Sequence, residues 1–293
     1  MDFSVIICTH NRAELLAACL TAAAAQTGVK GSYEIVVVAN ACSDNTAAGV
    51  RDFGARSQVP VRLLEEPKAG LSLARNRGAH ASAGRWLAYL DDDARPVPGW
   101  LAAYEGHLAE HPGLEAAGGP IFVDWGPVPM PAYWDPVFNV QLGELILDER
   151  ADAFPEDASP FGGNMLLSRE AFGRVGDFDA TLGLQGGRQV MGEEADWFHR
   201  FRLTGGRSIG YASGAAILHR VNPARLTRSS VRRRTWHSGV ATGRRLADVE
   251  PESRGVVAWA RHALSATLKG RLTLREQVYL IFWLGRLWGQ SRG

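Results

Sequence analysis

The 293 residues are 46% hydrophobic and 22% charged, the proportions of a folded globular chain with room for one large core and a smaller appendage. No internal repeat or low-complexity run is present, and no apolar stretch reaches the roughly 18 residues of a helical span, which argues against a solenoid and a transmembrane helix. The net charge of +1 conceals an asymmetry: residues 201–293 hold 17 Arg or Lys against 4 Asp or Glu, and residues 1–200 hold 15 against 27. A basic block of this kind is either a solvated surface or a face that meets an anionic partner. Cys8, Cys19 and Cys42 lack metal-ligand spacing and suit a reducing compartment. The first residues show neither a basic n-region nor an apolar h-region, so the expected location is the cytoplasm, with no signal peptide.

Phe3–Cys8 is apolar and β-branched, the pattern of a buried strand. Asn11, with Glu14 three positions on, predicts a capped helix rich in Ala and Leu that ends near Gly28. Glu34–Ala39 reads as a second buried strand, followed by Ser43 and Asp44 as helix starters, and Val61–Leu64 as a third. Leu71–Ala81 reads as helix and Arg85–Leu90 as a fourth strand. This alternation, with short joins, predicts a doubly wound α/β sheet. Prolines in Gly126–Pro131 exclude regular helix or central strand there, so residues 120–160 are expected to be strand and loop around a cleft. Phe161–Leu167 follows as a strand, Ser168 caps a helix over Arg169–Arg174, and a further helix spans Glu193–Thr204 before Gly205 and Gly206. Ser208–Tyr211 and Ala215–Leu218 read as short strands, and helical patterns dominate from Arg225 onward.

The chemistry-bearing feature is Asp91-Asp92-Asp93, directly after the fourth strand. Open α/β sheets bind ligands beyond the carboxyl ends of their strands, and crowded carboxylates are unfavourable there unless a cation or solvent relieves them. Oxygen ligands at a strand end suit Mg²⁺ or Mn²⁺ bridging to substrate phosphates; the alternative is an exposed acidic turn. Arg75, one helix earlier, is either a fork for a diphosphate or a surface arginine lying along its helix.

Val5–Arg12, Val36–Asp44, Ala74–Gly78 and Tyr89–Asp93 occur in that order. Together they resemble the nucleotide-binding half of family 2 glycosyltransferases, which have the GT-A fold: an α/β, Rossmann-like mixed sheet flanked by helices. Gly162-Gly-Asn164, Val175–Asp179, Gly192–Asp196 and Ala216–His219 resemble that family's acceptor half. The resemblance covers about residues 3–220. It implies a catalytic domain over residues 1–222, divided into a nucleotide-sugar half (1–118) and an acceptor half (119–222), with a basic helical extension over 223–293.

Carried over by position, the resemblance implies that Thr9, Asn11, Arg12 and Asn40 contact the nucleotide. Asp91 would lie near the ribose, Asp92 would fill the variable middle position of an Asp-x-Asp motif, and Asp93 would bind metal. Glu193-Glu-Ala-Asp196 matches the motif of the catalytic base, which falls on Glu194, with Glu193 as base or support. His219 matches a metal-binding histidine after the last sheet strand. The implied reaction is displacement with inversion at the anomeric carbon. Glu194 takes the acceptor proton, and a divalent cation (Mn²⁺ or Mg²⁺) at Asp93 and His219, helped by Arg75, stabilises the departing nucleoside diphosphate. Implied partners are a nucleotide-diphosphate sugar donor and a glycan or lipid-linked acceptor; no nucleic acid is expected.

Gly162 and Gly163 would let an acceptor approach the backbone, and Trp125, Tyr133 and Trp134 either stack on a sugar or pack locally. Val278–Leu284, flanked by Arg271, Arg275 and Arg286, is too short to span a bilayer. It is either a helix docked on the catalytic domain or an interfacial helix on an anionic membrane. Two further readings keep a similar fold: a sugar-nucleotide pyrophosphorylase and an inactive carbohydrate-binding protein. The first expects a glycine-rich loop after the first strand, yet no glycine precedes Gly28; the second has no need of a base. A Rossmann dehydrogenase lacks its Gly-x-Gly-x-x-Gly.

Overall fold

A computed structural model describes residues 1–185, 188–190, 192–206, 208–245 and 273–291. The chain divides into two compact units. The first comprises Met1–Asp124, Gly143–Arg188 and Glu193–Arg220; the second comprises Trp125–Leu142, Gln189–Gly192 and Val221–Gly293.

The first unit begins with β1 (Phe3–Thr9), α1 (Ala13–Ala24), β2 (Tyr33–Asn40), α2 (Thr46–Gly54), β3 (Val61–Glu66), α3 (Leu71–Ala81) and β4 (Trp86–Asp91). Then come β5 (Ala94–Pro96), α4 (Trp100–Glu110), β6 (Ala116–Gly118) and β7 (Ile121–Asp124). After residue 142 follow β8 (Asn164–Ser168), α5 (Arg169–Val175), β9 (Gly183–Gln185), β10 (Arg188–Val190), α6 (Glu193–Leu203), β11 (Gly210–Tyr211) and β12 (Ile217–Arg220). β10 crosses the boundary between the units.

Seven strands form the main sheet in the order β11-β6-β8-β4-β1-β2-β3. β1 pairs in parallel with β2 and β4, and β2 with β3, as short helical crossovers demand. β8 enters antiparallel between β4 and β6, which makes the sheet mixed. Strands β1 and β2 are buried almost throughout, because helices cover both faces, and this is why their sequences read as continuous Val/Ile runs. The core divides accordingly. One cluster gathers Val5, Ile7, Leu16, Val37, Trp100 and Tyr104; the other gathers Ile6, Tyr89, Met165, Phe178, Trp197 and Phe201.

A second sheet, β5-β12-β7, positions the chemistry. β12 runs antiparallel to β5 with His219 opposite Ala94, and the Arg220 N–H donates to the Asp93 carbonyl at 3.0 Å. Strand pairing thus closes 126 residues of sequence between Asp93 and His219.

Two expected caps form differently. Asn11 does not cap α1: it lies at φ 52°, and its Oδ1 accepts from the Ser43 N–H at 2.7 Å, tying the β1 loop to the β2 loop. Asp44 precedes α2 by two residues and accepts from the Thr46 N–H and hydroxyl, while its other oxygen accepts from the Ala13 N–H. The cap at Ser168 forms as expected, its hydroxyl accepting from the Ala171 N–H at 3.0 Å. α4, β5 and β6 were not foreseen. The Trp-Leu-Ala-Ala pattern of α4 follows a proline-rich turn, and the strands are only three residues long.

The second unit contains two 3₁₀ turns (Pro136–Leu142 and Pro223–Arg225), α7 (Arg228–Arg245) and α8 (Leu274–Gln290). α7 and α8 pack backbone to backbone: a Cβ on Gly239 would stand 2.2 Å from the Phe282 carbonyl oxygen, and one on Gly285 2.6 Å from that of Trp236. Trp134 is buried, in edge contact with Trp125 and Phe138, and its indole N–H donates to Asn139. Tyr133 donates to the Leu226 carbonyl and stacks under Arg228. Among the described residues, no helix is long and apolar enough to cross a membrane. Residues 246–272 of the expected extension, Arg271 included, lie outside the described residues.

Candidate active site

The site is built on the carboxyl ends of β1, β2 and β4, where the sheet presents loop backbone to solvent. The only non-glycine residues described at positive φ, Asn11 at 52° and Ala41 at 48°, both lie on these loops. Strain of this kind persists where surrounding contacts over-determine the backbone.

The three aspartates separate at once. Asp92 turns inward and is 4% exposed; it accepts from the Thr9 hydroxyl at 2.7 Å and from Arg12 Nη1 at 2.9 Å. Burial, against the pull of Arg12, pushes its carboxyl up to about 6. Asp93 shares the same Arg12 Nη1 at 3.1 Å, and its Oδ1 lies 3.1 Å from His219 Nε2. Asp91 stays partly open, with Nη2 of Arg75 4.0 Å away. One ligand atom from each of Asp91, Asp93 and His219 lies within 4.8 Å of the others. Two carboxylates and an imidazole so grouped fit a divalent cation. The resemblance implied Asp93 and His219 for that group; the geometry adds Asp91.

The Ala74-Arg-Asn-Arg-Gly78 run has a distinct job at nearly every position. Arg75 does not lie along the surface: it is 4% exposed, and Nη1 donates to Glu193 Oε1 at 2.7 Å. Asn76 clamps the Phe178 backbone from both sides, donating to its carbonyl at 2.8 Å and accepting from its N–H at 2.9 Å. Gly78 lets α3 approach β1, where a Cβ would meet Ile6 at 2.5 Å. Arg77 alone faces solvent. The clamp at Phe178, with the Ser72 hydroxyl on the Leu182 carbonyl at 2.9 Å, holds on α3 the loop that leads toward α6. Glu193 and Glu194 therefore open α6 close to Arg75, and Glu193 rather than Glu194 takes the ion pair. Burial first, then the charge of Glu193, pushes the Glu194 carboxyl up to about 8, with Arg75 opposing.

Gly162 and Gly163 also make room for the site's own side chains. A Cβ on Gly162 would stand 2.1 Å from Arg75 Nη2, and one on Gly163 2.5 Å from Asp91 Oδ2. The loop passes directly over the guanidinium and the carboxylate, and any side chain at either position would displace them. Asn164 beside them is a buried hub. Its Oδ1 accepts from Trp100 Nε1 at 2.9 Å and the Tyr104 hydroxyl at 2.8 Å, and its Nδ2 donates to the Pro120 and Ala215 carbonyls. The sequence signal for that hub was a Gly-Gly-Asn at the start of a wholly buried strand.

The residues assigned to the nucleotide fall into two groups. Thr9 and Asn40 have their polar atoms engaged within the chain. Asn40 donates to the Glu66 and Lys68 carbonyls and accepts from the Gly70 N–H, pinning the loop before α3. Asn11 and Arg12 sit at the rim; Arg12 is partly open while holding Asp92 and Asp93, and Asn11 is exposed on the loop it ties.

The chain resembles known proteins along most of its length. It is 27% identical over 225 residues to the glucosyl-dolichyl phosphate glucuronosyltransferase of Haloferax volcanii, covering 75% of this chain and 70% of that one. It is 28% identical over 251 residues to the succinoglycan biosynthesis protein ExoM of Rhizobium meliloti, covering 85% and 76%. Its fold matches the mannosyltransferase PcManGT of Pyrobaculum calidifontis, solved with GDP-Man and Mn²⁺, at a TM-score of 0.66 and 20% identity over 99% of this chain and 88% of that one. The profile of "Glycosyl transferase family 2" matches residues 4–176. With that match over more than half its length, and with the mixed sheet just described, the chain belongs to glycosyl transferase family 2 and has the GT-A fold.

Proposed function

We propose that this nucleotide-sugar glycosyltransferase is an inverting enzyme in which Glu194 is the base and Asp91, Asp93 and His219 form the cation site. The observation that carries the reading is the position of Arg75, 2.7 Å from Glu193 and 4.0 Å from Asp91, which joins the base pair and the cation group in one cluster. The acceptor oxygen attacks the anomeric carbon, Glu194 receives its proton, and the bond from that carbon to the diphosphate oxygen breaks. Asp91, Asp93 and His219 would hold a divalent cation, which would supply positive charge where the leaving diphosphate gathers negative charge. Arg12 holds the Asp92 and Asp93 carboxylates in place, and Arg75 counters Glu193, so that Glu194 is the carboxylate without a direct ion pair. A carboxyl lifted toward 8 is a stronger base once ionised, which favours proton removal in the transition state.

The acceptor class is proposed from the relatives. The Haloferax volcanii protein's name specifies a glucosyl-dolichyl phosphate, a lipid-linked acceptor. α8 exposes Leu284, Leu287 and Trp288, and α7 carries no acidic residue, which suits peripheral contact with an anionic membrane that holds such an acceptor.

The test is a thermal-shift screen against UDP, GDP, CDP and dTDP with and without Mn²⁺, followed by donor hydrolysis with the preferred nucleotide sugar. One nucleotide should raise Tm only with the cation, and Asp93→Ala should abolish that rise. Cation-independent stabilisation, or unchanged turnover in Asp93→Ala, would remove the cation site from the mechanism.

A further inference from the structure

We infer that the second unit contains a phosphate-binding pocket, in which Arg228, Arg232 and Arg275 line a cavity of about 310 Å³ that takes a phosphomonoester or diphosphate group. The pocket is built entirely from second-unit residues and does not depend on the reading of the Asp91–Asp93–His219 group.

Three arginines and one acidic residue, Asp135, line the cavity, and the Glu276 carboxylate is taken up by the Thr273 N–H and hydroxyl. Arg275 approaches the Asp135 carboxylate only to 3.5 Å, and both side chains keep solvent contact, so the pair is loose and leaves positive charge over. Arg232 is held by Gln277, whose Oε1 accepts from Nε at 2.9 Å and from Nη2 at 2.6 Å. That arrangement fixes the guanidinium plane while spending two of its five N–H donors. Arg228 is oriented by Tyr133, with its central carbon 4.7 Å from the ring centroid. Ordered forks that retain donors are what a tetrahedral oxyanion needs, and a dianion satisfies the charge better than a single carboxylate.

The surroundings deepen the imbalance. α7 carries six arginines and no acidic residue. Arg234 on that helix donates from Nε to the Gln141 carbonyl, and burial together with Arg225 and Arg233 pushes it down to about 10. It remains charged at neutral pH, so the helix is a standing concentration of cations. Thr273 at the start of α8 also lines the cavity, and its capping box with Glu276 orders that helix end. The apolar part of the lining, Phe138 and Leu274, suits the first carbons of an ester rather than a bare ion.

The phosphate could belong to a lipid headgroup or to a soluble phosphate ester, and the experiment separates them. The full chain is titrated with inorganic pyrophosphate in the presence of chelator, so that the cation group of the first unit contributes nothing. The double variant Arg228→Gln/Arg232→Gln is titrated in parallel, with Arg51→Gln as a surface control. Binding should weaken at least about tenfold in the double variant and stay unchanged in the control. Sedimentation with phosphatidylcholine vesicles carrying phosphatidic acid, against vesicles carrying phosphatidylserine, reads the source. Preference for phosphatidic acid that pyrophosphate displaces assigns the headgroup; pyrophosphate binding without vesicle binding assigns a soluble ester. Should the double variant fail to fold, Arg275→Gln, half exposed and paired only loosely, gives the same reading with a smaller loss. Pyrophosphate affinity equal in wild type and in a folded variant overturns the pocket.

Discussion

Replacing Glu194 with glutamine should stop transfer and at the same time stabilise the protein without its substrates. Glutamine keeps the shape of a protonated glutamate, and the native fold favours that protonated form: the carboxyl is raised from 4.5 to about 8. Between those two values the folded state binds more protons than the unfolded one, so wild-type stability falls as pH rises through the window. At about 1.36 kcal/mol per unit, the shift sets a ceiling of roughly 5 kcal/mol. Residual solvent contact and the charge shared with Glu193 reduce this to about 2 kcal/mol. That corresponds to a gain of about 4–8 °C in Tm for Glu194→Gln at pH 8, shrinking toward zero near pH 5. Thermal unfolding followed by circular dichroism, with chelator and without nucleotide, measures both points. Transfer by the same variant should fall about 10²–10⁴-fold. An equal Tm at pH 8, or a gap just as wide at pH 5, would refute the electrostatic account of α6; full transfer would refute the base.

The same ionisation sets the pH profile: kcat/KM should climb as pH rises toward 8 and lose that limb in Glu194→Gln, measured by product release at saturating cation. Gly163→Ala places a methyl group 2.5 Å from an Asp91 oxygen, so it should cut kcat by at least about tenfold while circular dichroism stays native. Asn164→Ala leaves the Trp100 indole N–H and the Tyr104 hydroxyl without their acceptor, along with two buried carbonyls. Urea unfolding should show a loss of about 3–5 kcal/mol.

How far the sequence could be read depended on how local the cause was. α3 falls on Leu71–Ala81 as the pattern predicts, and β1 to β4 agree within a residue or two; in β1, β2 and β4 burial on both faces writes itself as apolar runs. The GT-A fold followed from the order of the motifs. What stayed illegible was partner choice. Nothing local tells Asn11 to bond Ser43 instead of capping α1, since both partners suit an amide oxygen and only the β1–β2 pairing decides. Likewise Arg75 could have faced solvent; its burial follows from Gly162, which sits over it 87 residues later. The cation group needed β12 to pair with β5, a contact that three- and four-residue strands do not announce.

Five carboxyls crowd this site, Asp91, Asp92, Asp93, Glu193 and Glu194; Arg12 pairs with Asp92 and Asp93, and Arg75 with Glu193 and, at 4.0 Å, with Asp91. The fold relieves part of the excess by raising two of the five, Asp92 to about 6 and Glu194 to about 8, so that near neutral pH each holds a proton for part of the time. The two differ in use. Asp92 is closed off from solvent, with its two oxygens accepting from Thr9 and Arg12. Glu194 is half-buried at the start of α6, and the proposed mechanism requires its proton to leave and return. A donor diphosphate arriving alone would add negative charge to this cluster and hold that proton in place. Arriving with a divalent cation it would not, and Glu194 would ionise more readily. In the proposed mechanism these crowded carboxylates would couple cation loading to the proton on Glu194, and the apparent pH limb of transfer should move to lower pH as cation concentration rises, a displacement that a fixed, cation-independent limb would rule out.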